Sequence, residues 1–118
     1  MNIYKEMPES TKPEKAWIDK EMLCVDFHLW DSNMFYYVDM HHDIPLTGIV
    51  GYTMCFGSRK GFKKMEMYFR DLKDRHLTLL KLSNSHEKLA IDIYNLLKPL
   101  NIKPRRKIVT TKEVKHVN

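Results

Sequence analysis

Phe62-Lys63-Lys64-Met65-Glu66-Met67-Tyr68-Phe69-Arg70-Asp71-Leu72-Lys73-Asp74-Arg75-His76-Leu77-Thr78-Leu79-Leu80-Lys81-Leu82 is the stretch on which the fold turns. At three-to-four spacing, Met65, Phe69, Leu72, His76 and Leu80 form one stripe, as an amphipathic helix requires. Glu66 with Arg70, and Asp71 with Arg75, are i,i+4 pairs in the orientation that supports a helix. Only Thr78 is β-branched, and no Gly or Pro interrupts. At period two, Met65, Met67 and Phe69 alternate with Lys64, Glu66 and Tyr68, and Leu77 and Leu79 alternate with Thr78 and Leu80. That reading gives two strands joined by a turn over Arg70–Arg75 that lacks Gly, Pro and Asn. The missing turn chemistry favours the helix, and the strand pair is the alternative.

Upstream, the period is clearer. Leu23, Val25, Phe27 and Leu29 alternate with Cys24, Asp26, His28 and Trp30, the mark of a half-buried strand. Asp31-Ser32-Asn33 is turn chemistry. Met34–Met40 reads as the return strand of a hairpin. Thr47–Phe56 reads as a third strand, with Gly48 and Gly51 marking a bulge or a close backbone approach. Residues 1–15, polar and holding Pro8 and Pro13, are expected to form a flexible arm. Downstream, Asn84 and Glu87 have capping-box spacing. Leu89, Ile93, Leu96, Leu97 and Leu100 form the apolar face of a helix. Pro99 should push Lys98 out of helical geometry and end that helix near Leu97. The fold class expected is α+β: an N-terminal antiparallel β-sheet, then one or two C-terminal helices, then a basic tail. Residues 16–101 form the single compact domain and 102–118 the tail, within which Ile108–Thr111 could add an edge strand.

The composition supports one packed domain of 118 residues, 43% apolar and 30% charged, with thirteen aromatic residues. No apolar run is long enough to span a membrane and no signal-peptide pattern opens the chain, so a cytoplasmic protein with no membrane partner is expected. Cys24 and Cys55 sit inside apolar strands and are expected to be buried, reduced thiols. Lys outnumbers Arg fifteen to five, a bias that hints at an AT-rich genome and a phage or mobile-element accessory protein.

The charge is divided by position. Residues 1–57 hold four Lys/Arg and nine Asp/Glu, a net −5, whereas residues 58–118 hold sixteen and six, a net +10. Such asymmetry speaks of partners rather than of fold. Two basic clusters carry it. In the loop Gly57–Lys64, Ser58, Arg59, Lys60, Lys63 and Lys64 surround glycines that let backbone amides approach an anion, and a helix beginning near Phe62 would add its dipole. The loop lacks P-loop spacing. In the tail, Lys103, Arg105, Arg106 and Lys107 surround Pro104, which keeps the segment extended along a phosphate backbone. Phe62, Trp30 and Tyr36 are the candidate stacking residues.

Other chemistry is weakly signalled. Asp26, His28, Asp39, His41, His42 and Asp43 could meet across the hairpin, with Asp26 opposite Asp39, as a metal-dependent nuclease would need. There is no His-x-x-x-His or Cys-x-x-Cys spacing, and nothing in the chain calls for a cofactor. The leading expectation is a non-catalytic protein that recognises a phosphate-bearing ligand, nucleic acid or nucleotide. The alternatives are an inhibitor or adaptor docking on a protein through its acidic N-terminal face, and the nuclease. The divided charge could also drive homo-oligomers.

Overall fold

The computed structural model describes residues 13–57 and 61–110, the last five by their backbone alone. Seven strands and one helix follow in order: β1 (Lys15–Asp19), β2 (Met22–Asp31), β3 (Tyr36–Pro45), β4 (Ile49–Gly57), β5 (Gly61–Arg70), β6 (Leu77–Leu82), α1 (Glu87–Leu97) and β7 (Arg106–Thr110). The first three make an antiparallel sheet in the order β1-β2-β3. The second sheet has the order β6-β5-β4-β7, with β7 parallel to β4 and the rest antiparallel. The architecture is therefore α+β and mostly β, with the N-terminal sheet and the C-terminal helix where the alternation and the apolar face put them. Strand β1 begins at Lys15, inside the stretch expected as an arm, and β7 lies inside the stretch expected as a tail.

The stretch 62–82 forms the strand pair β5–β6 and not a helix, which corrects the reading that its missing turn chemistry favours. The turn between them uses aspartate. The Asp71 carboxylate accepts the Lys73 N–H at 2.6 Å, and the Asp74 carboxylate accepts the His76 N–H at 3.0 Å. Arg75 takes the left-handed conformation, φ 59°. Aspartate side chains can mimic a backbone turn in this way, so Gly, Pro and Asn were not needed. Burial then decides between the two periods. A strand sends Phe62, Met65, Met67 and Phe69 of β5 and Leu80 and Leu82 of β6 into the interior. A helix over the same residues would have placed Leu72, which is exposed, on its apolar stripe.

The inner faces of both sheets share one core. Leu23, Val25, Phe27 and Ile44 of the first sheet meet Tyr52, Met54 and the buried residues of β5 and β6, and α1 adds Leu89, Ala90, Ile93 and Leu97. Each fully buried aliphatic side chain contributes about 1.5–3 kcal/mol before entropy is counted. Leu96 is only partly buried and Leu100 is exposed. The start of α1 differs from expectation. Residues Asn84–His86 form a 3-10 turn, and Ser83 pairs with His86 in the place expected for Asn84 and Glu87: the Ser83 N–H donates to His86 Nδ1 at 3.4 Å. The helix ends at Leu97, but Lys98 stays right-handed and opens another 3-10 turn with Pro99 at its start. Asn101 then reverses the chain at φ 62°.

Both glycines of the third strand region serve close approach. A Cβ at Gly48 would lie 2.4 Å from the Arg70 carbonyl oxygen, and one at Gly51 would lie 2.3 Å from Arg105 Cδ. The register of β4 on β5 shifts between Ile49 and Gly51, as a bulge does. Among the described residues, no helix is long and apolar enough to cross a membrane.

Candidate nucleic-acid interface

The outer face of the second sheet is built by strand alternation. With Met65, Met67 and Phe69 pointing inward, Lys64, Glu66, Tyr68 and Arg70 point outward. Leu77, Leu79 and Lys81 do the same on β6, and Gly51 and Thr53 on β4. Tyr68 stands at the centre, paired with Gly51 on one side and Leu79 on the other, and is 44% exposed. Arg70 is two residues along from Tyr68 and Lys64 is four, roughly 7 and 14 Å at strand rise.

Arg105 completes the face from a different element. The chain after α1 is stitched to β4: the Tyr52 hydroxyl donates to the Ile102 carbonyl at 3.1 Å, and the Arg105 N–H donates to the Tyr52 carbonyl at 2.8 Å. Burial pushes the Tyr52 phenol up to about 12, so it remains a donor at any physiological pH. The stem of Arg105 then lies over Gly51, where any side chain would collide with it. A groove of about 460 Å³ opens here, walled by Val50, Thr53, Glu66, Tyr68 and Arg105.

Among the described side chains, four cations (Lys64, Arg70, Lys81, Arg105) and one carboxylate (Glu66) occupy this face, a net +3. Lys64 Nζ lies 3.7 Å from the Glu66 carboxylate. Both groups are part-exposed, so that pair holds little energy and a phosphate can compete for the lysine. Arg70 Nη1 also donates to the Arg75 carbonyl at 3.1 Å, which fixes its guanidinium beside the turn.

The predicted site residues do not all converge. Lys63 and Lys64 are exposed on β5, and Lys103 and Arg105 are exposed on the segment before β7. Ser58, Arg59 and Lys60 lie outside the described residues. Arg106 and Lys107 belong to β7, whose backbone sets them opposite Thr53 and Met54. Phe62 is not a stacking residue. It is 3% exposed and packs edge-on against Phe56, because it begins the inward series of β5. The helix dipole expected near Phe62 is likewise absent, since β5 starts at Gly61. Trp30 and Tyr36 are exposed, but on the first sheet, away from these cations. The residue missed is Tyr68, whose outward position follows only from the strand period.

The His/Asp group is not arranged with Asp26 opposite Asp39: in register, Asp26 pairs with His41 and Asp39 pairs with His28. His41 lies between two carboxylates, with Nδ1 2.5 Å from Asp26 and Nε2 2.8 Å from Asp43. The bond to Asp26 raises the His41 pKa most, and Asp43 adds to it against the opposing effect of burial. Burial lowers that of His42. Among the described residues, no group of three or more His, Cys, Asp or Glu is arranged to hold a metal ion. Cys24 and Cys55 are both buried, and burial, with Asp43 nearby, raises the Cys24 thiol to about 11, far from a nucleophile at neutral pH.

Compared with protein-family models, with curated proteins and with solved structures, the chain matches none.

Proposed function

We propose that the chain is a non-catalytic protein that binds single-stranded nucleic acid across the outer face of its second sheet. The observation that carries this reading is the exposed Tyr68, central on a sheet face and surrounded by Lys64, Arg70, Lys81 and Arg105. A base stacks on an aromatic ring without regard to its identity, and flanking cations neutralise the phosphates on either side. The Tyr68 ring is exposed on a sheet face, which suits an unpaired strand better than a duplex, whose bases turn inward. Arg59 and Lys60, which follow β4 in the chain, and Arg106 and Lys107 of β7 add charge to the same half of the sequence.

Fluorescence anisotropy of labelled oligo-dT, oligo-rU, a duplex and a labelled mononucleotide tests the reading. Single strands should bind most tightly. Four neutralised phosphates should give a slope of log affinity on log salt near −2.8, from about −0.7 per contact. Tyr68→Ala should weaken single-strand binding by about 5- to 150-fold, since base stacking is worth about 1–3 kcal/mol. Failure to bind any nucleic acid at low salt, or equal binding by Tyr68→Ala and the parent, refutes it.

A further inference from the structure

The far end of the β2–β3 hairpin carries apolar surface that the core does not use. Met34 is 63% exposed, Phe35 48% and Tyr37 51%, and Trp30 beside them is 37% exposed. The tip is nonetheless fixed. The Asp31 carboxylate accepts the N–H groups of Asn33 at 2.9 Å and Met34 at 3.2 Å, and its carbonyl accepts that of Phe35 at 2.8 Å. Phe35 is held left-handed at φ 57°. That conformation is costly for a bulky residue, and an exposed ring returns nothing to the core in exchange. Trp30 and Tyr37, partners in register, lie edge to face with centroids 5.1 Å apart.

Beneath this aromatic wall opens a cleft of about 540 Å³ bounded by Glu14, His28, Ser83, Ser85 and His86. Glu14 Oε2 accepts the His28 N–H at 3.0 Å and lies 3.2 Å from His86 Nε2. These contacts hold the carboxylate at the cleft. The Ser83 and Ser85 hydroxyls, 3.0 Å apart, supply acceptors at its rim. Further carboxylates stand at this end of the sheet: Asp39 lies 3.5 Å from His28 Nε2, and Asp31 closes the turn. No Lys or Arg occurs on β2, on β3 or in the turn between them.

We propose that this end of the first sheet docks a basic, arginine-bearing segment of a partner protein. A guanidinium stacks on aromatic faces, donates in a fork to a carboxylate, and is the cation that protein interfaces favour beside Trp and Tyr. The carboxylates repel nucleic acid and anionic bilayers while drawing a basic segment in. The surface is independent of the nucleic-acid face on the other sheet.

The test uses the full chain and labelled peptides that alternate Arg with Leu, Lys with Leu, or Glu with Leu. The Arg peptide should bind more tightly than the Lys peptide, and the Glu peptide should not bind. Trp30→Ala should weaken the Arg peptide about tenfold, as truncation of an aromatic anchor does. Glu14→Gln should reduce the preference for Arg over Glu peptides. Phe35→Gly relieves the left-handed strain, so it should hold or raise the melting temperature while weakening the peptide about three- to tenfold. A role of Phe35 in folding alone would not separate those two readings. Undiminished binding by both Trp30→Ala and Phe35→Gly overturns the proposal. Self-association in sedimentation that Trp30→Ala abolishes and the Arg peptide leaves intact also overturns it, in favour of a second copy of the chain. Uptake by phosphatidylserine vesicles with no peptide binding overturns it in favour of a membrane.

Discussion

Gly51→Ala probes how the nucleic-acid face is assembled. An added Cβ would stand 2.3 Å from Arg105 Cδ, 2.9 Å from Cγ and 3.4 Å from Nε. Ordinary contact begins at 3.4 Å, so the Arg105 stem must retreat by about 1 Å or leave. All three atoms belong to one exposed, flexible side chain, and no backbone is in the way. The fold should therefore survive within about 1 kcal/mol, with alanine gaining some stability by restricting the unfolded chain. Binding should suffer more. If Arg105 neutralises one phosphate, its loss should flatten the salt slope by about 0.7. Extrapolated from 1 M to 0.1 M salt, that is about a fivefold loss of affinity for a single strand. Anisotropy with a short oligo-dT over a salt series measures both quantities. The decisive comparison is a double-mutant cycle. Arg105→Ala should show the same slope and affinity as Gly51→Ala, and the double variant should be no worse than either. Losses that add in the double variant, or an unchanged slope in Gly51→Ala, refute the argument that Gly51 acts by seating Arg105.

Three further outcomes follow from the packing and the charges. Ile93→Ala should cost about 2–5 kcal/mol in urea unfolding, since its side chain is fully buried between α1 and the sheets; a loss under about 0.5 kcal/mol would place that helix face in solvent. Gly48→Ala should cost about 1–3 kcal/mol by the same measurement, because its Cβ would meet the backbone carbonyl of Arg70, which cannot step aside as Arg105 can. His41 holds its proton more tightly folded than unfolded, so its contribution is complete below the ordinary value of 6.5 and is lost as pH rises through the raised folded value. His41→Asn should therefore flatten the fall of melting temperature on the alkaline side of pH 6.5, whereas the lowered His42 acts on the acid side, where stability is lost as pH drops.

The elements that could be read from sequence are those where one period dominated. In β2, Leu23, Val25 and Phe27 are buried, and in α1 Leu89, Ile93 and Leu97 are buried, each as its spacing required. The alternation in β2 ends at Leu29, which is exposed because the hairpin runs on past the core. Residues 62–82 carry both periods: the i,i+4 charge pairs and the stripe through Leu72 suit a helix, whereas the alternation of Met65, Met67 and Phe69 suits a strand. The deciding information was the pair of aspartates that close the turn, a role Asp74 and Asp71 share with Asn. The hairpin shows how a small error in a loop spreads. Asp31 pairs with Tyr36 across a four-residue turn. A turn two residues shorter would have brought Asp39 opposite Asp26. Lengthening it by two moves His41 into that place, which replaces a pair of carboxylates by a histidine and a carboxylate.

The candidate site was legible in charge but not in position. Composition separated an acidic half from a basic half, and the fold gives that division a spatial meaning. The acidic half supplies β1, β2 and β3 of the first sheet and the uncharged β4 of the second, the basic half supplies β5, β6 and β7, and the two inner faces are joined in a single core. Residues that alternate out of that core therefore display the acidic half on one sheet and the basic half on the other. Clusters that are dense in sequence, such as Gly57–Lys64 and Lys103–Lys107, are what the sequence displays. On a sheet, however, neighbours come from different strands. Tyr68, Lys81 and Arg105 are far apart in the chain and share one face only because β5 lies between β6 and β4. Aromatic residues divide by the same logic. Phe62 and Tyr68 lie on one strand, an even number of residues apart, yet the bulge between Cys55 and Phe56 sends Phe62 inward while the pleat of β5 sends Tyr68 outward. A stacking residue is thus fixed by the pleat and by the bulges that reset it, which the basic sequence around it does not reveal, and Tyr68→Ala rather than Phe62→Ala is the substitution that separates binding from folding.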